Sequence, residues 1–198
     1  MKRIGGLWQE VVTTEILEKA ASKACSSRKN KNEVAEFLAN KDELLRRLQN
    51  QLTYHTYETS PYNLFYKMEN GKERLVSDLP LYPDRIAHWA VAYVVEPLVN
   101  RRLIPQSHAS RKGHGTHTAI ADVKKYLDAD PKIKYCLKVD VRKFFQSIPK
   151  EVAKECIRKV IKDPDVLWFI DKIVDDYPEP GIPLGNRLSP MIANLVHS

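Results

Sequence analysis

Residues 63–79, NLFYKMENGKERLVSDL, read as two β-prone runs facing each other across Asn70-Gly71. Both residues of that dipeptide tolerate positive φ, which a two-residue hairpin turn demands. Working upstream, Leu7, Val11, Ile16, Leu17 and Ala20 recur at helical spacing. Val34, Phe37, Leu38, Leu44, Leu45 and Leu48 do so again between Glu33 and Leu52. The polar stretch CSSRKNKN (25–32) between them predicts a linker. Downstream, Pro83 and Asp84 open a helix whose apolar face is Ile86, Trp89, Ala90, Tyr93 and Val94, up to Glu96-Pro97. Ile120, Val123 and Leu127 predict a second helix from about Thr116. IKYCLKVDV (133–141) alternates apolar and polar residues as a strand does. Helices are expected at 150–162 and 165–176, then a turn forced by Pro178, Pro180, Gly181 and Pro183, then a helix from Leu188 to Ser198. Helices, a hairpin, more helices and a strand make an α+β fold.

The composition supports a folded chain. Of 198 residues, 43% are hydrophobic and 29% charged, so the chain is neither a disordered tail nor a disulfide-stapled miniature. No apolar run reaches the roughly 20 residues of a membrane span, so a membrane partner is not expected. Cys25, Cys136 and Cys156 are odd in number and scattered, which suits a reducing cytoplasm better than a disulfide framework or zinc site.

The net charge is +7 and uneven. RRLIPQSHASRKGHGTH (101–117) holds four Lys or Arg and three His with no acid, a balance that suits an anionic partner such as nucleic acid. Within it, SHASRKGHGTHTAI (107–120) is a Gly-broken loop where Arg111 and Lys112 are placed to neutralise phosphates. His114 and His117 lack a third ligand nearby and are not read as a metal site. In KVDVRKFFQSI (138–148), Asp140 ends an apolar strand. A carboxylate there needs a cation, and a sheet rim suits Mg²⁺, although a helix cap or an ion pair to Arg142 or Lys143 fits the sequence too. GIPLGNRLSP (181–190) holds the chain off regular structure before a helix and exposes backbone N–H groups.

Together, in this order and spacing, these segments resemble the sequence blocks of reverse transcriptases of the bacterial group II intron, retron and diversity-generating retroelement kinds. LPLYPDRIAHWAVAYVVEPLVNRRLIPQSHASRKGHGTHTAI (79–120) resembles the early fingers blocks, KVDVRKFFQSI the palm block with the first catalytic aspartate, and GIPLGNRLSPMIANL the block that follows. The resemblance runs from about Tyr54 to Ser198. It implies a helical N-terminal extension (1–52), fingers (53–118) and a partial palm (119–198). It implies an RNA-directed DNA polymerase that adds deoxynucleotides (dNTP) to a primer on an RNA template by two-metal phosphoryl transfer with Mg²⁺, or alternatively Mn²⁺, in the cytoplasm of a bacterium or a phage-like element. Asp140 would be the first of three metal-binding aspartates, with the carbonyl of Val141 beside it. Phe145 would lie under the incoming sugar and exclude a ribose 2′-OH. Lys72 and Arg74 would clamp the triphosphate, and Leu184 and Gly185 would lie against the templating base pair. Arg111 and Lys112 would grip the template, while Ser189 and Asn194 would support the last helix. Leu184 stands where many of the family have Gln, and Ser189-Pro190 is the commoner form of that block. The block with paired aspartates is absent before Ser198, so the expectation is a truncated chain, inactive alone and prone to self-association through an uncovered palm surface. A non-catalytic, maturase-like RNA-binding remnant is the alternative.

Overall fold

The computed structural model describes residues 3–28, 32–69 and 71–198. Asn70, half of the expected turn, and residues 29–31 of the polar stretch lie outside them. The chain is α+β: helices around one two-stranded antiparallel sheet. The elements in order are α1 (Trp8–Val11), α2 (Thr14–Ser26), α3 (Asn32–Ala39), α4 (Lys41–Thr53), β1 (Asn63–Glu69) and β2 (Lys72–Asp78). They continue with α5 (Ile86–Asn100), α6 (Thr116–Ala129), α7 (Phe144–Ser147), α8 (Lys150–Arg158), α9 (Pro164–Asp175) and α10 (Ser189–His197). The hairpin pairs Glu69 with Lys72 and runs in register to Asn63 opposite Asp78. No helix is long and apolar enough to cross a membrane, among the described residues.

Helix α5 is the centre. Ile86, Ala87, Ala90, Val91, Ala92, Val94, Val95 and Val99 are all buried, leaving it apolar nearly all round, as a core helix is. α2 packs on one side, and α1 and α10 cover others. Small residues make that approach possible: Ala20, Ala21 and Ala24 of α2 are buried. Trp8 of α1 reaches across to Trp168 and Phe169 of α9, edge-on to the first at 5.9 Å between ring centroids. Residues of α1–α4 therefore share one continuous apolar core with α5, α8, α9 and α10, while α6 and residues 133–141 stay outside it.

Asp163 ties the two ends of this core. It caps α9 by accepting from the backbone N–H groups of Asp165 and Val166, each at 3.1 Å. Its other oxygen accepts from Leu7 at 2.5 Å and Trp8 at 3.3 Å. Beside it, Ile4 donates to Val160 and accepts from Lys162, a short parallel bridge.

The structure departs from the sequence reading in four places. The 33–52 helix is two helices, because Asn40 leaves helical backbone angles at φ −128°, ψ 26°. α5 runs through Pro97 to Asn100. The Arg28 end of the expected linker is an ion-pair hub, with its guanidinium bonded to both Glu33 and Asp78. The largest departure is at 133–141, where no strand forms. A strand needs a hydrogen-bonded neighbour, and the β1–β2 hairpin is the only sheet among the described residues. Tyr135, Leu137 and Val139 stand 93%, 88% and 76% exposed, so the alternation encodes a buried face with nothing over it.

Candidate nucleic-acid interface

Three segments meet on one side of the molecule. The turn at 181–187 lies against β2: Leu184 accepts from the Ser77 backbone N–H at 2.7 Å and its hydroxyl at 2.9 Å. Gly185 is required there, since it sits at φ +111° and an added Cβ would run into the Ser77 carbonyl oxygen. The same turn holds α7, because Ile182 donates to the Phe145 carbonyl at 3.0 Å. Gly181, at φ +84°, leaves room for that carbonyl; a Cβ would also come within 2.6 Å of Gln146 Cα. Asp140 lies ahead of α7 and faces β2, with Lys72 Nζ 3.8 Å from its Oδ2. Lys72, Asp140, Phe145, Leu184 and Gly185 thus belong to segments tied into one surface. Both members of the Lys72–Asp140 pair are largely exposed, so the pair contributes little to stability.

The base of the hairpin is fixed by charge. Asp78 accepts from Arg28 and Arg85. Burial pushes its carboxyl up, but the two guanidiniums outweigh that and hold it below the usual carboxylate range. The hairpin's far end is exposed on both strands. There Arg74 pairs with Glu69 at 3.2 Å, within the hairpin itself.

The remaining candidate residues are dispersed. Arg111 directs its two terminal nitrogens to the carbonyls of Ile104, Ser107 and Asn100, bracing the loop after α5. Lys112 beside it is exposed, and Val141 is 47% exposed. Ser189 is buried at the first position of α10. Asn194 donates to the Ala109 carbonyl at 2.8 Å, fastening α10 to the basic loop.

The charge distribution is sharper than the sequence segment at 101–117 suggests. Residues 101–143 hold eleven of the 32 Lys and Arg but only four of the 25 Asp and Glu, so the other residues carry 21 of each. The whole net charge of +7 therefore sits in that stretch. Lys124, Lys125, Lys132, Lys134, Lys138, Arg142 and Lys143 are all exposed.

One group of residues escaped the sequence reading. A cavity of about 180 Å³ opens between β2, α5 and the 181–187 turn, with Arg85, His88, Trp89, Asn186 and Arg187 in its wall. Burial, and then the Arg85 charge, push the His88 imidazole down to about 3, so it is neutral near pH 7. Arg187 bonds Glu96 of α5 and lies over the Trp89 ring, 4.4 Å from its centroid. Asn186 and Arg187 stand within the quoted GIPLGNRLSP segment, but burial in a wall that joins distant elements leaves no local signal.

Asp140 and the Val141 carbonyl are hard oxygen donors of the kind Mg²⁺ or Mn²⁺ takes. Among the described residues no three His, Cys, Asp or Glu side chains stand close enough to share an ion, and the near neighbour of Asp140 is an ammonium. One carboxylate does not hold the ion pair of a two-metal centre, so these residues alone do not fit that group.

No protein-family model matches the chain. Among curated proteins it is similar to nuclear intron maturase 1, mitochondrial, of Arabidopsis thaliana, at 30% identity over 110 residues, 52% of this chain and 14% of that one. It is 24% identical over 164 residues to the group II intron-encoded protein LtrA of Lactococcus lactis subsp. cremoris, 78% of this chain and 27% of the relative. The putative COX1/OXI3 intron 1 protein of Saccharomyces cerevisiae gives 23% over 164 residues, 77% of this chain and 19% of that protein. The chain thus spans between about a seventh and a quarter of these relatives.

Proposed function

We propose that this chain, whose homologues are group II intron maturase and reverse-transcriptase-like proteins, binds structured RNA in a maturase-like role, with fingers over 53–118 and part of a palm over 119–198. The observation that carries the reading is the concentration of the entire net charge in residues 101–143. Exposed lysines neutralise phosphates and release counterions. The exposed ring of Tyr135 adds a stacking surface for an unpaired base.

The test is the salt dependence of binding to a folded intron RNA, followed by fluorescence anisotropy. Replacing Lys112, Lys124, Lys125 and Lys132 by Gln removes four cations that stand on exposed backbone. If each meets a phosphate, the log–log salt slope falls by about 3. An unchanged slope and affinity would refute the reading.

A second reading has its own support in the convergence of Lys72, Asp140, Phe145, Leu184 and Gly185. It is the nucleotide site of an RNA-directed DNA polymerase: Lys72 and Arg74 on the triphosphate, Phe145 under the sugar, and Leu184 and Gly185 beside the template base. Mg²⁺ at Asp140 and the Val141 carbonyl would need further carboxylates to complete the pair of ions. Titrating a fluorescent dNTP in the presence of Mg²⁺ tests it. Lys72→Gln should weaken binding several-fold, and equal binding by variant and parent would sink this reading.

A further inference from the structure

The turn at 181–187 is fastened unevenly. Its Ile182 end is bonded to α7, and its middle, at Leu184, to β2. Gly185, Asn186 and Arg187 make no backbone–backbone hydrogen bond, among the described residues. Packing leaves a gap beneath this end, because the three residues line the cavity of about 180 Å³ between the turn, β2 and α5. The Arg187 side chain spans that gap. Its guanidinium bonds Glu96 and lies over the Trp89 ring, 4.4 Å from the centroid, and both partners belong to α5. Trp89 and Glu96 are two helical turns apart and so lie on the same side of α5.

The platform is itself braced by α2. Lys23 Nζ lies 5.6 Å from the centroid of the same indole. Tyr93, one turn along α5, packs beside Trp89 at 5.7 Å and carries Lys19 over its own ring at 4.6 Å. The Arg187 and Glu96 side chains are only 24% and 17% exposed, so solvent screens this pair far less than the open Lys72–Asp140 pair.

We propose that Arg187 is a positioning residue: through Glu96 and Trp89 it holds the Gly185 end of the turn at a fixed height over α5, and so keeps Leu184 and Gly185 seated on β2. Its consequence for nucleotide binding rests on the second reading above, in which those two residues lie beside the template base. A guanidinium suits this post better than an ammonium does. It offers a planar face to the indole and a fork to the carboxylate at once. Loss of the Arg187 charge also leaves Glu96 mostly buried without its partner, which penalises the seated position of the turn.

The test reads the turn and the nucleotide separately. Hydrogen exchange followed by NMR reports on the Ser77 amide, which donates to Leu184 at 2.7 Å. In Arg187→Leu that amide should speed up roughly tenfold or more relative to the amides of Val91 and Val95 inside α5. Arg187→Lys keeps the charge for Glu96 but not the plane for Trp89, and should recover part of the protection. Glu96→Gln should loosen Ser77 in the parent and add little in the Arg187→Leu background, because both changes cut one strut. If Arg187→Leu does not fold, Arg187→Lys and Glu96→Gln carry the same comparison. In fluorescent-dNTP titrations with Mg²⁺, Arg187→Leu should weaken binding several-fold and Arg187→Lys less. Unchanged Ser77 exchange overturns the proposal. So does acceleration shared equally with α5, which marks a general loss of stability, and so do additive effects of Arg187→Leu and Glu96→Gln. Parent-like dNTP binding in a variant with a loosened Ser77 amide overturns the consequence for the nucleotide. A parent that binds no dNTP sinks the nucleotide reading alone, and exchange at Ser77 still decides the positioning role.

Discussion

Replacing Asp163 by Ala should be among the most damaging single changes in the molecule. Its carboxylate is 3% exposed and serves four backbone donors on two helix starts. Losing the cap on α9 costs about 1–2 kcal/mol. Leu7 and Trp8 are themselves buried, so each freed N–H costs about 1–3 kcal/mol. Allowing for partial relaxation and non-additivity, the loss is about 4 kcal/mol, a large part of the roughly 5–15 kcal/mol that holds a typical domain together. With a urea m-value near 2 kcal/mol/M, the midpoint should fall by about 2 M. The assay is urea unfolding at pH 7, followed by circular dichroism and by tryptophan fluorescence. Asp163→Asn keeps one acceptor but loses the charge, and should fall between parent and Ala. The pH dependence adds a second check. Burial pushes the Asp163 carboxyl up, yet the four N–H donors outweigh it and hold it below the usual carboxylate range. A depressed carboxylate contributes its stability above its unfolded value near 4 and loses it as pH falls through the folded value. The gap between parent and Ala should therefore be full at pH 7 and shrink in acid. A loss under about 1 kcal/mol at pH 7, or a gap that widens in acid, would refute the reasoning.

His88 should make the protein acid-sensitive in a higher window. Its imidazole is pushed down to about 3 by burial, so between its unfolded value near 6.5 and that figure the unfolded chain binds a proton that the folded chain refuses. Stability should drop as pH falls below about 6.5, by up to about 1.4 kcal/mol per pH unit, and urea midpoints for His88→Gln should show a flatter profile between pH 7 and 5. Gly185→Ala should force the 181–187 turn off β2, since its Cβ would run into the Ser77 carbonyl in a backbone region that alanine disfavours. The expected outcome is faster hydrogen exchange at the Ser77 amide and weakened dNTP binding, with the α2–α5 core unchanged.

Helices α2, α4 and α9 were legible because each buries one stripe, written at helical spacing over 12 or 13 residues. The hairpin was legible because Asn-Gly between β-prone runs encodes a turn locally. The failures are those where the deciding neighbour is remote. Arg28 reads as part of a linker, but Asp78, fifty residues on, makes it a hub. Asp163 carries no local mark beyond preceding Pro164, and half of its partners lie at residues 7 and 8. The alternation at 133–141 reads as a strand but forms none, because pattern alone does not supply the neighbouring strand. Among the candidate site residues, the resemblance pointed to Lys72, Asp140, Phe145, Leu184 and Gly185, whose segments meet beside β2. It did not show that Arg111 would be engaged with carbonyls of its own loop.

The junction of residues 4–8 with 160–163 also sets an order of events during synthesis. Leu7 and Trp8 cannot reach their acceptor until a residue about 155 positions later has left the ribosome. At about 5–20 residues per second, that is a wait of roughly 8–30 s. Until then α1 has only α2 and α5 to lie against, and Trp8 lacks the Trp168 and Phe169 rings that complete its seat. Contacts of such sequence separation are also the slow ones to close once the chain is free. Residues 4–8 are thus synthesised well before the segment that completes their seat, and a nascent-chain chaperone that shields apolar segments would meet them during that interval.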